Sequence, residues 1–162
     1  DVERSDTYGG QIRSFAGLKG ARPISERVTN LLKLEDDVGL YDPASDKRYA
    51  EAIDEKRWKL LDRVVGLKKA GKKVIGVGAP AKASTICNYV GLGPDLISYI
   101  AEINPLRIGM YLPGRHIPIV DEEVIFQDPE PADAAVLFAW NFHDEIVPKL
   151  RARGFLGEII LT

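Results

Sequence analysis

The sequence predicts an α/β fold: a mostly parallel sheet with helices on both faces, preceded by a long amphipathic helix. Two observations support this prediction. From Lys73 to the end, short apolar runs alternate with glycine-containing turns and helical patterns, which is the order of strand–helix–strand units. Between Pro43 and Gly71, apolar residues recur at helical spacing. With 162 residues the chain has the length of one ordinary domain, so we expect a single core.

The N-terminal part, residues 1–72, is interpreted as an edge strand and helices attached to this core. Apolar and polar residues alternate from Gln11 to Ala16, which indicates a strand that we expect to join the main sheet. Ser25 is suited to cap a short helix that ends near Gly39, and Asp42-Pro43 begins the long helix. The apolar face of that helix comprises Tyr49, Ile53, Leu60, Leu61, Val64 and Leu67.

The remaining residues, 73–162, carry the strand–helix–strand pattern. We predict strands over residues 73–78, 96–103, 116–120, 134–139 and 158–161, with helices over 82–90, 121–126 and from Asn141, which would cap the last helix. Residues 104–115 contain too many prolines and glycines for a helix. A loop of this length in a compact domain more often serves function than not.

Composition excludes several function classes. Twenty-two basic against twenty-four acidic residues give a net charge of −2, which argues against nucleic-acid binding. No apolar run approaches the ~18 residues of a membrane span. The single cysteine, Cys87, excludes an internal disulfide and a cysteine-rich metal site and suits a cytoplasmic protein. Because the chain begins at Asp1, without a start methionine or a signal peptide, we interpret it as part of a longer protein.

Three informative segments follow predicted parallel strands and therefore fall at one edge of the sheet. They are Gly78–Lys82, Glu102–Asn104 and the pair Trp140-Asn141. Ligands of open parallel α/β sheets bind at the carboxyl ends of the strands, where loops and helix N-termini converge. We therefore expect the functional site at this edge.

The first segment has the composition of a phosphate-binding turn. Gly76 and Gly78 stand between a strand and a helix, where backbone N–H groups and the helix dipole favour an anion. Lys82, Ser84 and Thr85 add one charge and two hydroxyl groups. The third glycine of the dinucleotide-binding motif is missing, so the alternative is that the two glycines only permit close strand-to-helix packing.

The other candidates each have a functional and a structural interpretation. Glu102 follows Gly76 at about the spacing at which an acid binds a ribose hydroxyl, or it is a solvated carboxylate. His116 is a weak candidate for a catalytic base and otherwise a structural residue. Trp140 and Asn141 offer a flat ring and an amide that suit a base or a sugar. Cys87 and Trp58 are expected in the core, and His143 at the surface.

Four segments together resemble one family. They are Gly78–Lys82 (GAPAK), Asn88-Tyr89, residues 109–119 (GMYLPGRHIPI) and residues 140–146 (WNFHDEI). They resemble the Rossmann-like C-terminal domain of S-adenosylmethionine-dependent sugar C-methyltransferases, which act on nucleotide-linked deoxysugars. The resemblance extends from Gly9 to the end. In that family the domain follows a small zinc-binding domain and a methyltransferase domain, and it helps to hold the nucleotide-sugar at the interdomain cleft.

The resemblance implies that the anion is the diphosphate of a nucleotide-sugar. It further implies methyl transfer to a carbon next to a ketone, which a base first deprotonates to an enolate. S-adenosylmethionine would bind outside this chain, in the upstream methyltransferase domain, so the chain alone would carry no cofactor and no activity. By the same comparison Lys82, Ser84, Asn88, His116, Trp140 and Asn141 match family positions. With the turn itself, the substrate-binding candidates are Gly78, Ala79, Pro80, Lys82, Ser84, Thr85, Asn88, Glu102, His116, Trp140 and Asn141.

The sequence departs from the family at two places. The family usually has His-Gly-Gly-Ser where this chain has Tyr8-Gly9-Gly10-Gln11, and it more often has Asp at the position of Glu102. The first departure puts the exact substrate in doubt. Two alternatives stay open: a stand-alone nucleotide- or coenzyme-binding regulatory module, which the same phosphate-binding turn would serve, and an interaction domain with a vestigial crevice.

Overall fold

A computed structural model of the protein describes residues 1–162, with the exception of the side chain of Tyr8. The interpretation of Tyr8 as a departure from the family histidine therefore lies outside the described residues. The chain divides into two compact units, which comprise residues 1–53 and 54–162. None of the described helices combines the length and the apolar character that crossing a membrane requires.

The first unit consists of a hairpin and helical segments. Strand β1 (Val2–Ser5) pairs antiparallel with β2 (Gln11–Ser14), and helix α1 covers Glu26–Asp37. The expectation that the second of these strands joins the main sheet is wrong, because β1 and β2 form a separate two-stranded sheet. Alternation identified a strand but not its partner, and a nearby strand in the same chain can pair at low entropic cost.

The second unit contains the predicted parallel sheet. Helix α2 (Pro43–Lys69) begins in the first unit and continues into the second. The elements after it are β3 (Val74–Val77), α3 (Ala81–Val90), β4 (Ile100–Glu102), β5 (Ile119–Asp121), α4 (Val124–Gln127), β6 (Ala134–Leu137), α5 (His143–Ala152) and β7 (Glu158–Leu161). The sheet order is β5-β4-β3-β6-β7, and every pair of neighbours is parallel. The chain therefore moves outward from β3 to one edge and returns to the other side of β3 at β6. This topology confirms the predicted fold class.

Strand residues alternate between two hydrophobic clusters, one on each face of the sheet. In β3, Val74 joins the cluster that contains side chains of α2 and α3, whereas Ile75 and Val77 join the cluster that contains side chains of α4 and α5. All four residues of β3 and of β6 are buried. Burial on both faces explains why these strands read as continuous apolar runs rather than as alternating patterns.

Several local predictions are wrong. Asn141 does not cap the last helix: a turn of 3-10 helix covers Trp140–Phe142, and α5 begins at His143. Ser25 occupies the N-cap position of α1 as predicted, but its hydroxyl donates to the Asp1 carboxylate and makes no capping hydrogen bond. Trp58 is 53% exposed rather than in the core, because it lies on the side of α2 away from Leu60, Val64 and Leu67.

Two further expectations about single residues have opposite outcomes. Tyr49 shares the predicted apolar face of α2 but is exposed. Cys87 is fully buried as predicted, and burial raises the pKa of its thiol to about 12. A thiol with so high a pKa is almost entirely protonated at neutral pH and is therefore a poor nucleophile.

Candidate functional site

At the carboxyl edge of the sheet the chain changes direction between the ends of β3 and β6, and we call this place the crevice. Gly78 follows β3 with a φ of 78°, a conformation that favours glycine. A Cβ atom at Gly78 would lie 2.9 Å from the Cβ of Ala139, which follows β6. The backbones after the two strands therefore approach each other closely at the position where open α/β sheets bind ligands.

Gly76 has a separate packing reason. A Cβ atom there would lie 2.7 Å from the ring of Phe138 and 2.9 Å from Cγ1 of Ile100. The structural alternative for these two glycines is thus partly right, although the close neighbours lie on adjoining strands and their extensions rather than on the helix. Packing explains why glycine is needed, and it leaves the anion-binding interpretation of the turn open.

Three predicted residues come together across this crevice: Lys82, Trp140 and Asn141, which we call the crevice cluster. Lys82, in the first turn of α3, donates a hydrogen bond to Oδ1 of Asn141. Its ammonium also lies 4.7 Å from the centroid of the Trp140 ring. Among the described residues no carboxylate lies within ion-pair distance of Lys82. The ammonium therefore keeps its positive charge uncompensated and has donors left for a ligand.

The start of α3 adds a second source of positive potential. Pro80 occupies the N-cap position, and no side chain caps the helix there. The first amides of a helix have no partner within it, and the dipole makes this end positive. Thr85 is exposed one turn further along. The amide of Ala79 is not available to a ligand, because it donates to Glu102.

Glu102 was predicted either to bind a ribose hydroxyl or to be a solvated carboxylate, and the structure gives it a third environment. It is only 6% exposed, so the solvated-carboxylate alternative is wrong. One carboxylate oxygen accepts hydrogen bonds from the amide of Ala79 at 2.8 Å and from the Arg107 guanidinium at 3.2 Å. The other accepts from the amides of Ile103 at 2.8 Å and Asn104 at 3.0 Å. Four donors occupy the lone pairs of the carboxylate, so binding a ribose hydroxyl would require one of them to leave.

These contacts set the ionisation of Glu102. Burial alone raises the pKa of a carboxyl group, but the amides of Asn104, Ala79 and Ile103 and the guanidinium of Arg107 favour the charged form. Their combined effect outweighs burial, and the pKa of Glu102 lies below its ordinary value. The charged carboxylate thereby ties the turn after β3 to the segment after β4.

Ser84 and Asn88 hold a loop rather than the crevice. The Ser84 hydroxyl donates to the carbonyl of Pro113 at 3.0 Å, and the Asn88 side chain donates to the same carbonyl at 2.9 Å. A side chain at Gly114 would collide with Asn88, so the loop and α3 fit closely. The predicted long loop is therefore fastened to α3 by two of the predicted binding residues.

His116 lies at the end of this loop, and among the described residues its side chain makes no hydrogen bond or ion pair with the crevice cluster. It has a φ of 55°, the left-handed region that non-glycine residues rarely adopt, and its side chain is exposed. Its amide donates to the carbonyl of Leu112 at 2.9 Å. Among the described residues no hydrogen bond or ion pair involves the His116 imidazole, so the structure gives no partner that would set it up as a base.

Sequence reasoning missed Arg107, the side-chain partner of Glu102. It stands in the irregular stretch after β4, and nothing in the pattern of that stretch distinguishes it from the neighbouring polar residues. His143 is exposed as expected and lies 3.1 Å from the carboxylate of Asp144. In the part of the chain that the structure describes, no group of three or more His, Cys, Asp and Glu side chains is placed to hold a metal ion.

A family model and a related protein indicate the same family. The model of the C-methyltransferase C-terminal domain family matches residues 6–161. C-methyltransferase NovU of Streptomyces niveus is 31% identical over 153 residues, which cover 91% of this chain and 35% of the relative. The chain therefore spans about a third of the length of that protein.

A search of solved structures gives a weaker similarity. The crystal structure of RSP, a Rex-family repressor, aligns with 87% of this chain and 76% of its own, at 19% identity and a TM-score of 0.41.

Proposed function

The chain belongs to the C-methyltransferase C-terminal domain family, and from this premise we propose that it binds the nucleotide-sugar substrate of a longer enzyme. That enzyme would use S-adenosylmethionine to methylate a carbon next to a ketone of a nucleotide-linked deoxysugar. The ketone acidifies the neighbouring C–H bond, so loss of that proton gives an enolate carbon that can accept a methyl group. The observation that carries the proposal is the crevice cluster at the carboxyl edge of the sheet.

The cluster suits the diphosphate of such a substrate. Lys82 supplies an ammonium without an acidic partner, and the amides that begin α3 point the positive end of the dipole at the same place. Hydrogen bonds between charged groups are roughly twice as strong as neutral ones. The Gly78 and Ala79 amides donate within the chain, and Pro80 has no N–H. We therefore assign phosphate binding to the Lys82 ammonium and to the backbone amides of Ala81 and Lys82 at the start of α3.

The remaining members of the cluster suit the uncharged parts of the substrate. Trp140 is partly exposed at the crevice and presents a ring on which a base or a sugar face can stack. Asn141 positions Lys82 by accepting its hydrogen bond, and its NH2 group remains a donor for a hydroxyl or a carbonyl. Glu102 acts through the turn that it holds, so we assign it a positioning role.

The residues of this crevice do not fit S-adenosylmethionine. The sulfonium of that cofactor is a cation, whereas the nearest charge in the cluster is the Lys82 ammonium. We therefore place the cofactor in another part of the enzyme, and we expect residues 1–162 alone to transfer no methyl group.

Calorimetric titration of the full-length enzyme with a nucleoside diphosphate tests the assignment. Loss of a charge-assisted hydrogen bond costs roughly 1.5–3 kcal/mol, so Lys82→Ala should weaken binding about tenfold to a hundredfold. Lys72→Ala is the matched control, because it removes the same charge from an exposed position before β3, at the other end of that strand. Affinity should fall more steeply with salt in the wild type than in Lys82→Ala.

Three outcomes would contradict the proposal. Equal affinities and equal salt dependence for wild type and Lys82→Ala would mean that the turn only packs the helix against the sheet. Tight nucleotide binding without methyl transfer to any nucleotide-sugar by the full-length protein would favour the regulatory-module alternative. Binding of neither class of ligand would favour a vestigial crevice.

A further inference from the structure

The first unit has no interior of its own. Among the side chains of residues 1–53 that the structure describes, none is buried, whereas the buried hydrophobic residues lie between Leu60 and Phe155. Large apolar side chains of this unit are instead exposed, among them Ile12, Phe15, Leu18, Ile24, Leu34 and Val38. So much exposed apolar surface within a short stretch of chain marks an interaction surface.

A groove between β1 and α1 belongs to this surface, and we call it the β1–α1 groove. Its volume is about 520 Å³, and its lining comprises Val2, Arg4, Arg27, Asn30, Leu31 and Leu34. Leu31 and Leu34 are three positions apart, so they lie on the same side of α1. The groove thus has an apolar floor with two arginines.

The two arginines differ in their partners. Arg27 forms ion pairs with the carboxylates of Asp1 and Glu3. Arg4 is exposed, and no carboxylate of the described residues lies within ion-pair distance of it. The groove therefore has a guanidinium left for an acidic group beside its apolar floor.

We propose that the β1–α1 groove is the docking surface for the part of the full-length enzyme that precedes this domain. This inference rests on the proposed function, since it takes the chain to be the C-terminal part of a longer methyltransferase. Two findings identify the occupant: the matched family is described as a C-terminal domain, and this chain covers only 35% of C-methyltransferase NovU. The segment that enters the groove carries apolar side chains and an acidic residue that pairs with Arg4.

A photo-cross-linking experiment on the full-length protein tests this docking. A benzophenone-bearing amino acid replaces Leu34 in one variant and Asp36 in a control variant. Asp36 lies roughly 200° around α1 from Leu34, so its side chain points away from the groove. After irradiation, mass spectrometry should find the Leu34 probe joined to peptides upstream of this domain within the same chain, at several times the yield of the Asp36 probe.

The other outcomes overturn the proposal. Cross-links between two chains would identify a second copy as the occupant. Yields that are equal at Leu34 and Asp36 would show that the groove is open to solvent in the full-length protein. Titration with a nucleoside diphosphate tests the crevice separately from the groove. If the groove does not dock the upstream segment, Lys82→Ala should still weaken nucleotide binding, so the two proposals can fail independently.

A charge reversal tests the acidic part of the inference. In the Leu34 probe variant, Arg4→Glu should lower the yield of upstream cross-links several-fold, because it places a carboxylate opposite the acidic residue of the docked segment. Arg22→Glu makes the same charge change at an exposed position outside the groove lining and should leave the yield unchanged. Equal yields in the two variants would refute pairing through Arg4.

Discussion

The two units of this chain differ in how their elements are stabilised. In the second unit, β3 and β6 are buried on both faces, and two hydrophobic clusters cover the sheet. In the first unit, a two-stranded hairpin and a 12-residue helix bury none of the side chains that the structure describes. Isolated two-stranded hairpins and helices of about 12 residues are marginal in water. Both units contain helices and strands, but the buried apolar side chains that stabilise a fold lie in the second unit among the described residues.

Replacing a leucine in each unit should give the largest contrast. Leu150 of α5 is fully buried, so Leu150→Ala should cost about 2–5 kcal/mol of unfolding free energy. Leu18 is 87% exposed, so Leu18→Ala should change stability by no more than about 0.5 kcal/mol. Denaturant-dependent hydrogen exchange of peptides from each unit, in the full-length protein, measures both effects. Similar losses of unfolding free energy at Leu150 and Leu18 would contradict the difference between the two units.

Two glycines of the second unit compare a crowded position with an open one. Gly76→Ala should cost about 1–3 kcal/mol, because the new Cβ would meet Phe138 and Ile100 at under 3.0 Å. Gly66→Ala, in α2 with no atom within 4 Å of the new Cβ, should stabilise by about 0.4–1 kcal/mol. Chemical unfolding, monitored by hydrogen exchange of the β3 amides, measures whether each substitution raises or lowers the free energy of unfolding. A stabilising Gly76→Ala would show that the strands can separate at that point.

The next prediction concerns the buried carboxylate that ties two loops together. Glu102→Gln should cost about 1–3 kcal/mol, since an amide NH2 would face backbone donors that now have a carboxylate oxygen. The pKa of Glu102 in the folded chain lies below its ordinary 4.5, so its contribution is complete above that pH. It decreases as the pH falls below 4.5 and through the lower pKa of the folded state.

Unfolding at several pH values checks this sign. The stability difference between wild type and Glu102→Gln should be constant at neutral pH and should shrink in acid. Asp128, whose pKa the hydrogen bond from Lys73 lowers, is unchanged in both proteins and cancels from the difference. A difference that grows in acid would contradict the contacts of Glu102.

The smallest expected effect is at His116, whose φ of 55° strains a residue with a Cβ atom. His116→Gly should be more stable than His116→Ala by about 1 kcal/mol, because glycine adopts this conformation without steric cost. Thermal unfolding of the two variants measures the difference. If His116→Ala were as stable as His116→Gly, the loop end would not be held in the left-handed region.

The sequence predicted much of the fold because the relevant signals are local. Apolar runs marked β3 and β6, and helical periodicity marked α2 between Pro43 and Lys69. The alternating order of these elements then dictated parallel strands, and parallel strands end at a common edge. For this reason Lys82, Trp140 and Asn141 could be expected near one another although Lys82 is far from the other two in sequence, and they do meet there.

The tertiary structure alone decided which partners each residue has. The same alternation that marked β2 could not say that it pairs with β1, because register and partner depend on contacts outside the strand. The carboxylate of Glu102 could have bound a ribose or faced water, and only the folded backbone brings four donors to it. Hydrogen-bond geometry is set by atoms from distant parts of the chain, whereas the periodicity of a helix or strand is carried by the residues that form it.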